Sequence, residues 1–176
     1  MEGSDKILRI KSSDGHVIEC EMSALRQAKL INDMFENDEV PSDEIDLGSS
    51  FLKKSVLDKV LEYCRFVAAN NNPPKIQKPI KQNNIYDITS PWYATFVNQF
   101  EDEHLSEMIL AVNYLNIQPL LELLCAKLAL TLKTMDVGEV RRYFGIENDY
   151  APEEEKRVQE EKIEAMEIYE LEDDNN

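Results

Sequence analysis

Residues 6–11 (KILRIK) and 17–22 (VIECEM) alternate apolar and polar positions, the period of a strand with one buried face. Between them Ser12, Ser13, Asp14 and Gly15 supply turn chemistry: the Asp side chain folds onto its own backbone and Gly accepts positive φ. The two runs therefore predict a hairpin. The period then lengthens. Leu25, Ala28, Ile31, Met34 and Phe35 share one side of helical segments at 23–27 and 29–36. Residues 37–44 are acidic and polar around Pro41 and read as a loop, and 44–47 is a short strand candidate. Ser49 or Ser50 is placed to cap a helix running to about Val67, with Leu52, Val56, Val60, Tyr63, Cys64 and Val67 at roughly helical spacing.

Residues 70–84 (NNNPPKIQKPIKQNN) break this pattern with three prolines, seven Asn or Gln and no acid. Proline lacks an N–H and restricts the residue before it, so the stretch predicts an exposed, flexible loop or linker. Its Lys75, Lys78 and Lys81 form a basic island. Residues 91–100 (PWYATFVNQF) predict a short aromatic helix begun by Ser90, with Pro91 in its first turn. Asp102 is placed to cap the next helix, on which Leu105, Ile109, Val112 and Leu115 make a stripe widened by Met108. Pro119 starts another, in which Leu120, Leu121, Leu124, Leu128 and Leu132 recur while Leu123 and Leu130 lie off the stripe. Residues 136–144 (DVGEVRRYF) predict a short amphipathic helix, with Val137, Val140 and Phe144 opposite Arg141 and Arg142, ended by Gly145. Pro152 opens a last helix with acids at 153–155 against its positive end. The apolar set of that helix (Val158, Ile163, Met166, Tyr169) is thin, which suits a helix that orders on binding.

The stretch 107–132 (EMILAVNYLNIQPLLELLCAKLALTL) concentrates apolar surface without a reactive group, which points to a protein that holds other proteins. Asn113 and Tyr114 interrupt it, and two readings of the pair stand level. It is a polar helix end satisfied in place, or an interface anchor, since Tyr joins a large ring to a hydrogen-bonding tip. The helix from Pro119 is apolar on more than one side, so it is either central to the core or reserves a face for a partner.

Composition narrows the function classes. A chain of 176 residues holds one core, or one core and a small annex. It has no run of about 18 apolar residues, so no transmembrane helix is expected. The start (MEGSDKILRIKSSDG) has no signal-peptide stretch, so cytoplasm and nucleus are the expected compartments. Three scattered cysteines and two histidines give no disulfide framework and no zinc-ligand spacing; neither metal nor cofactor is expected. A formal charge of −16 argues against nucleic acid as a partner. Residues 153–176 hold 11 acids and 3 bases, so half the excess sits there; it favours basic partners or plain solubility. The chain lacks a Gly-rich phosphate loop and a nucleophile elbow. Cys64 and Cys125 read as inert core thiols, so an enzyme is not expected.

The ordered blocks carry a resemblance. KILRIKSSDGHVIECE resembles the opening hairpin of the Skp-type adaptors of SCF ubiquitin ligases. MILAVNYLNIQPLLELLCAKLA resembles their most distinctive block, and EVRRYFGIENDYAPEEEKRV is similar to their two C-terminal helices and the joint between them. The resemblance covers nearly the whole chain, apart from 70–84 and the residues after about Glu161. It implies an α+β fold: a BTB/POZ-like domain (1–132) followed by a helical F-box-binding extension with an acidic tail (133–176). It implies a non-enzymatic adaptor between F-box substrate receptors and a cullin scaffold, in ubiquitin-dependent protein degradation. It makes Asn113 and Tyr114 the cullin-facing pair. The F-box-facing positions are then Leu105, Ile109, Leu121, Leu128, Leu132, Val140, Phe144 and Ile146. Pro152 matches a proline modified in some relatives, against its plainer reading as a helix-opening residue, and a weak homodimer is left open. Departures accompany the match. The tryptophan word near the end of the family's last helix is replaced by Lys162-Ile163-Glu164-Ala165, the loop at 70–84 is basic where the family's is acidic, and Ala151 stands where a Thr cap is common. A same-fold assembly subunit outside ubiquitination and an elongin-C-like adaptor are the alternatives.

Overall fold

The alternation at 6–11 becomes strand β1 (Ile7–Lys11), which turns Leu8 and Ile10 into the core and Ile7, Arg9 and Lys11 outward. Strand β2 (Val17–Glu21) pairs with it antiparallel, Leu8 opposite Cys20 and Ile10 opposite Ile18. The turn is closed by Ser12, whose hydroxyl donates to the His16 carbonyl and accepts from the His16 amide, each at 2.9 Å. Gly15 sits there at φ +84, where a Cβ would be strained. Strand β3 (Glu44–Asp46) adds to the other side of β1 in parallel, giving the order β2-β1-β3. The computed structural model describes residues 6–36, 44–158, 160, 161 and 163; of the loop expected at 37–44, residues 37–43 lie outside them and Glu44 begins β3. The chain divides into two units, Met1–Thr134 and Met135–Asn176, with the break two residues beyond the expected 132/133 boundary.

In the first unit helices α1 (Met22–Leu25) and α2 (Lys29–Glu36) follow the hairpin. Helix α3 (Lys54–Asn70) starts later than Ser49 or Ser50 would place it. The Ser13 amide takes the Leu52 carbonyl at 2.9 Å, which holds Leu52 outside the helix and in the core. The first amide of α3, at Lys54, is met by the Asp14 carboxylate of the hairpin turn at 3.0 Å. A side chain remote in sequence thus supplies the cap, and the enclosed Ser49 hydroxyl finds no hydrogen-bond partner among the described residues. Helix α4 (Pro91–Asn98) begins after Ser90 with Pro91 in its first turn, as the sequence predicts. Helix α5 (Asp102–Leu115) takes Glu101, not Asp102, at its cap position; Asp102 and Glu103 instead lie in the first turn, against the positive helix end.

One core joins these elements. Leu8, Ile10, Ile31 and Ile45 meet Val56, Val60, Tyr63, Cys64 and Val67 of α3, then Leu105, Met108, Val112 and Leu115 of α5. An aromatic cluster lies between α3 and α4, with Phe66 stacked on Trp92 at 3.5 Å and Trp92 on Phe96 at 5.2 Å. Helix α6 (Gln118–Lys133) closes the unit. Its buried positions are Leu120, Leu123, Leu124 and Ala126, so Leu123 belongs to the core although the leucine spacing put it off the stripe. Leu121, Leu128 and Leu132 are only half-buried.

The segment expected as a flexible linker at 70–84 is irregular, but it is anchored on this core. Pro74 is buried, and Ile76 and Ile80 are half-buried and packed against the core. Lys78 pairs with Glu122 of α6, and Lys133 of the same helix donates to the Lys81 carbonyl and to Asn83. In the second unit α7 (Val137–Phe144) is bounded by a complete capping box, Asp136 with Glu139, and by Gly145 at φ +63. Residues 152–158 are helical.

Candidate functional site: two surfaces on the first unit and one on the second

Residues at 100° intervals around α6, the angle set by 3.6 residues per turn, sort into distinct faces. Leu120, Leu123 and Leu124 point to the core. About 100° round the helix, Leu121, Leu128 and Leu132 form a second apolar stripe that the core only half covers. Cys125 lies on the far edge of that stripe and is exposed, which corrects its expected place among the core thiols. Burial still raises its thiol pKa, and it pushes Cys20 up to about 11 and Cys64 up to about 12. Nucleophilic cysteines are shifted the other way, towards the thiolate. Among the described residues no group of three or more His, Cys, Asp or Glu comes together as a metal site.

Of the other positions expected to face an F-box, Ile109 is half-buried and packs on the core. Leu105 is 1 % exposed. It is a core residue in this conformation and offers no surface, because α5 turns its Leu105–Met108–Val112 side inward.

The second surface is the C-terminal end of α5. Asn113 and Tyr114 are both exposed there, and α5 stops at Asn116, which takes the left-handed conformation at φ +54. Of the two readings of the pair, a polar helix end satisfied in place is met at Tyr114. Its hydroxyl donates to the Leu47 carbonyl at 2.5 Å, so the polar tip is satisfied in place. Its ring is left 38 % exposed, edge-on to Phe51 with centroids 6.4 Å apart. Leu110, one turn earlier on the same face, is 52 % exposed. Phe51 and Leu110 were missed by sequence reasoning: Phe51 adjoins the buried Leu52 and Leu110 lies inside an apolar run, so neither stands out by pattern. Beside them the Lys53 ammonium pairs with Glu107 at 2.5 Å, and that hydrogen bond raises the Lys53 pKa.

The third surface lies in the second unit. No residue of α7 is buried; Val140 is half-buried, while Val137, Phe144 and Ile146 are each about half exposed or more. Arg141 fixes the local geometry. Its guanidinium lies 5.6 Å from the Tyr150 ring centroid and 3.5 Å from the Glu155 carboxylate. A cleft of about 370 Å³ beside it is lined by Val137, Arg141, Tyr150 and Val158. At Ala151, which has no capping side chain, Glu154 reaches back to the Ala151 amide at 3.2 Å, so half of a capping box survives. Pro152 is exposed and is the first helical residue. Ile163 is exposed, and the other residues of the replaced tryptophan word, with Tyr169, lie outside the described residues.

Comparison with known proteins gives a consistent match. The family model described as "Skp1 family, tetramerisation domain" matches residues 6–68, and "Skp1 family, dimerisation domain" matches residues 118–165. The chain is 39% identical over 160 residues to the S-phase kinase-associated protein 1 homolog of Tetrahymena thermophila, covering 91% of this chain and 93% of that protein. It is 35% identical over 173 residues to SKP1-like protein 16 of Arabidopsis thaliana, covering 93% and 97%. It is 34% identical over 158 residues to the E3 ubiquitin ligase complex SCF subunit sconC of Emericella nidulans, covering 90% and 95%.

Proposed function

The chain belongs to the Skp1 family, and from that premise we propose that it is a non-enzymatic adaptor linking F-box substrate receptors to a cullin scaffold in an SCF-type ubiquitin ligase of cytoplasm and nucleus. The observation that carries the reading is α6, which has one apolar face more than its core requires. An F-box is a small helical unit that completes its own core against such a face. The exposed apolar residues of the second unit, Phe144 and Ile146, supply further surface of the same kind. The α5 end supplies a different kind. There the Tyr114 ring is held by the Leu47 carbonyl before any partner arrives, so little ordering remains to be done on binding a cullin. The adaptor's contribution to catalysis is proximity, since it holds a bound substrate near the ubiquitin-transfer machinery carried by other subunits.

The test is binding to a cullin N-terminal domain of the source organism. Asn113→Lys with Tyr114→Lys places charge in the contact and is expected to cost on the order of 3–5 kcal/mol of binding. Asn113→Lys alone, at an exposed position without the Leu47 tie, separates contact from folding. Affinity purification then distinguishes assemblies: several F-box proteins together with a cullin support the adaptor, and one fixed assembly without cullin would make the chain an assembly subunit of the same fold.

A further inference from the structure

The basic segment at 75–83 is not spent on linking elements. Lys78 Nζ pairs with Glu122 Oε1 at 3.0 Å near the start of α6. Lys133 Nζ, at its end, donates to the Lys81 carbonyl at 3.3 Å and to Asn83 Oδ1 at 2.7 Å. From Glu122 to Lys133 the helix rises roughly 16 Å at 1.5 Å per residue. The chain bends at Lys78, Pro79 and Asn83, so it reaches both ends of the helix only with the length of the Lys78 and Lys133 side chains. The segment is therefore a strap laid lengthwise on α6, running in the same direction. Its partners Glu122 and Lys133 lie roughly 110° round the helix from Leu121, Leu128 and Leu132, with Cys125 between the two sets. The strap thus forms one bank of the leucine face.

That bank is cationic in a chain of charge −16. Lys81 is exposed on the strap, and Lys75, three residues before it begins, is exposed beside a hollow that it shares with Asp87; among the described residues neither side chain enters an ion pair, and the tie to Lys133 uses only the Lys81 carbonyl. The side chain of Lys78 stays 67% exposed while paired with Glu122. An exposed pair of this kind is weak, so Lys78 can trade Glu122 for an incoming carboxylate. Elsewhere the chain repels acidic partners at long range; within about 8–10 Å of the strap it attracts them.

We infer that the strap selects among partners of the leucine face, favouring receptor segments that carry acidic side chains next to their apolar anchors. The inference rests on the reading above, that this face takes an F-box-type segment. The experiment measures association rates between the full chain and an F-box receptor that co-purifies with it. That receptor is used with its own sequence and with the acids flanking its apolar anchors changed to amides. Lys75→Gln with Lys81→Gln removes two charges and leaves both ties of the strap in place. Association is expected to slow by about tenfold at low salt and to lose much of its salt dependence, with an unchanged thermal midpoint. The amide receptor is expected to bind both chains equally slowly. An unchanged rate and salt slope in the double variant, for the natural receptor, would overturn the role of the strap. Leu128→Asp separates the two levels: if it leaves receptor binding intact, the leucine face is not the site, and the inference falls with it.

Discussion

The carboxylate of Asp14 ties the hairpin turn to the first amide of α3, and hydrogen bonding from Ser12 and then from Lys54 holds its pKa down at about 2, against 3.8 ordinarily. A folded-state value below the unfolded one gives stability that is complete above 3.8 and lost as pH falls towards 2. The gap in thermal midpoint between the protein and its Asp14→Asn variant is therefore expected to be full at neutral pH and to close over that acid window, as read by circular dichroism. A constant gap down to pH 2 would mean that the tie does not depend on the charge. Cys125 offers a second residue-scale test. It is exposed beside the leucine stripe while Cys20 and Cys64 are buried. Alkylation followed by mass spectrometry should label Cys125 before the other two, and a bound F-box segment should protect it. The sequence revealed that Asn113 and Tyr114 were unusual, but not that the Tyr114 hydroxyl is already satisfied. Its acceptor, the Leu47 carbonyl, is 67 residues away, and no local pattern reports such a pairing.

At the scale of elements, hydrophobic period places the hairpin, α4, α5, α6 and α7 within a few residues, because each has one dominant buried or half-buried side. The misplaced features are caps. Ser49 and Ser50 are good capping residues, but the Ser13 amide competes for the Leu52 carbonyl and delays α3 to Lys54. The sheet poses another problem that sequence does not show. Strand β2 is an edge in the order β2-β1-β3, and an edge with open carbonyls invites pairing with other chains. Arg65, reaching over from α3, donates to the Glu19 carbonyl at 3.4 Å and pairs with the Glu21 carboxylate at 3.1 Å. Arg65→Ala is expected to leave the fold intact and to promote concentration-dependent self-association, followed by light scattering. An equally monodisperse variant would show that the edge is guarded by other means.

For the whole molecule, burial is uneven: the first unit has a continuous core, while α7 has no buried residue. Local opening free energy follows such burial. Amide hydrogen exchange should thus be slow in α5 and α6 and fast in Val137–Phe144 and the helical residues 152–158. An F-box segment should slow exchange in both of the latter. Strong protection of α7 in the isolated protein would contradict the proposed docking role. The sequence by itself determined the fold class, the order of elements and the family, because alternation, helical period and turn residues are local properties and the blocks that carry the resemblance are contiguous. It also marked α6 as too apolar for a single buried side. Only the tertiary structure decided which leucines of α6 are core and which are half-covered, since that depends on where α5 and the strap lie against it. Tertiary contacts likewise made Leu105 core, left Cys125 exposed and tied the basic segment, a linker by its composition, to both ends of α6. Each of these is set by which surfaces meet across long stretches of chain, and periodicity records only that a surface is apolar.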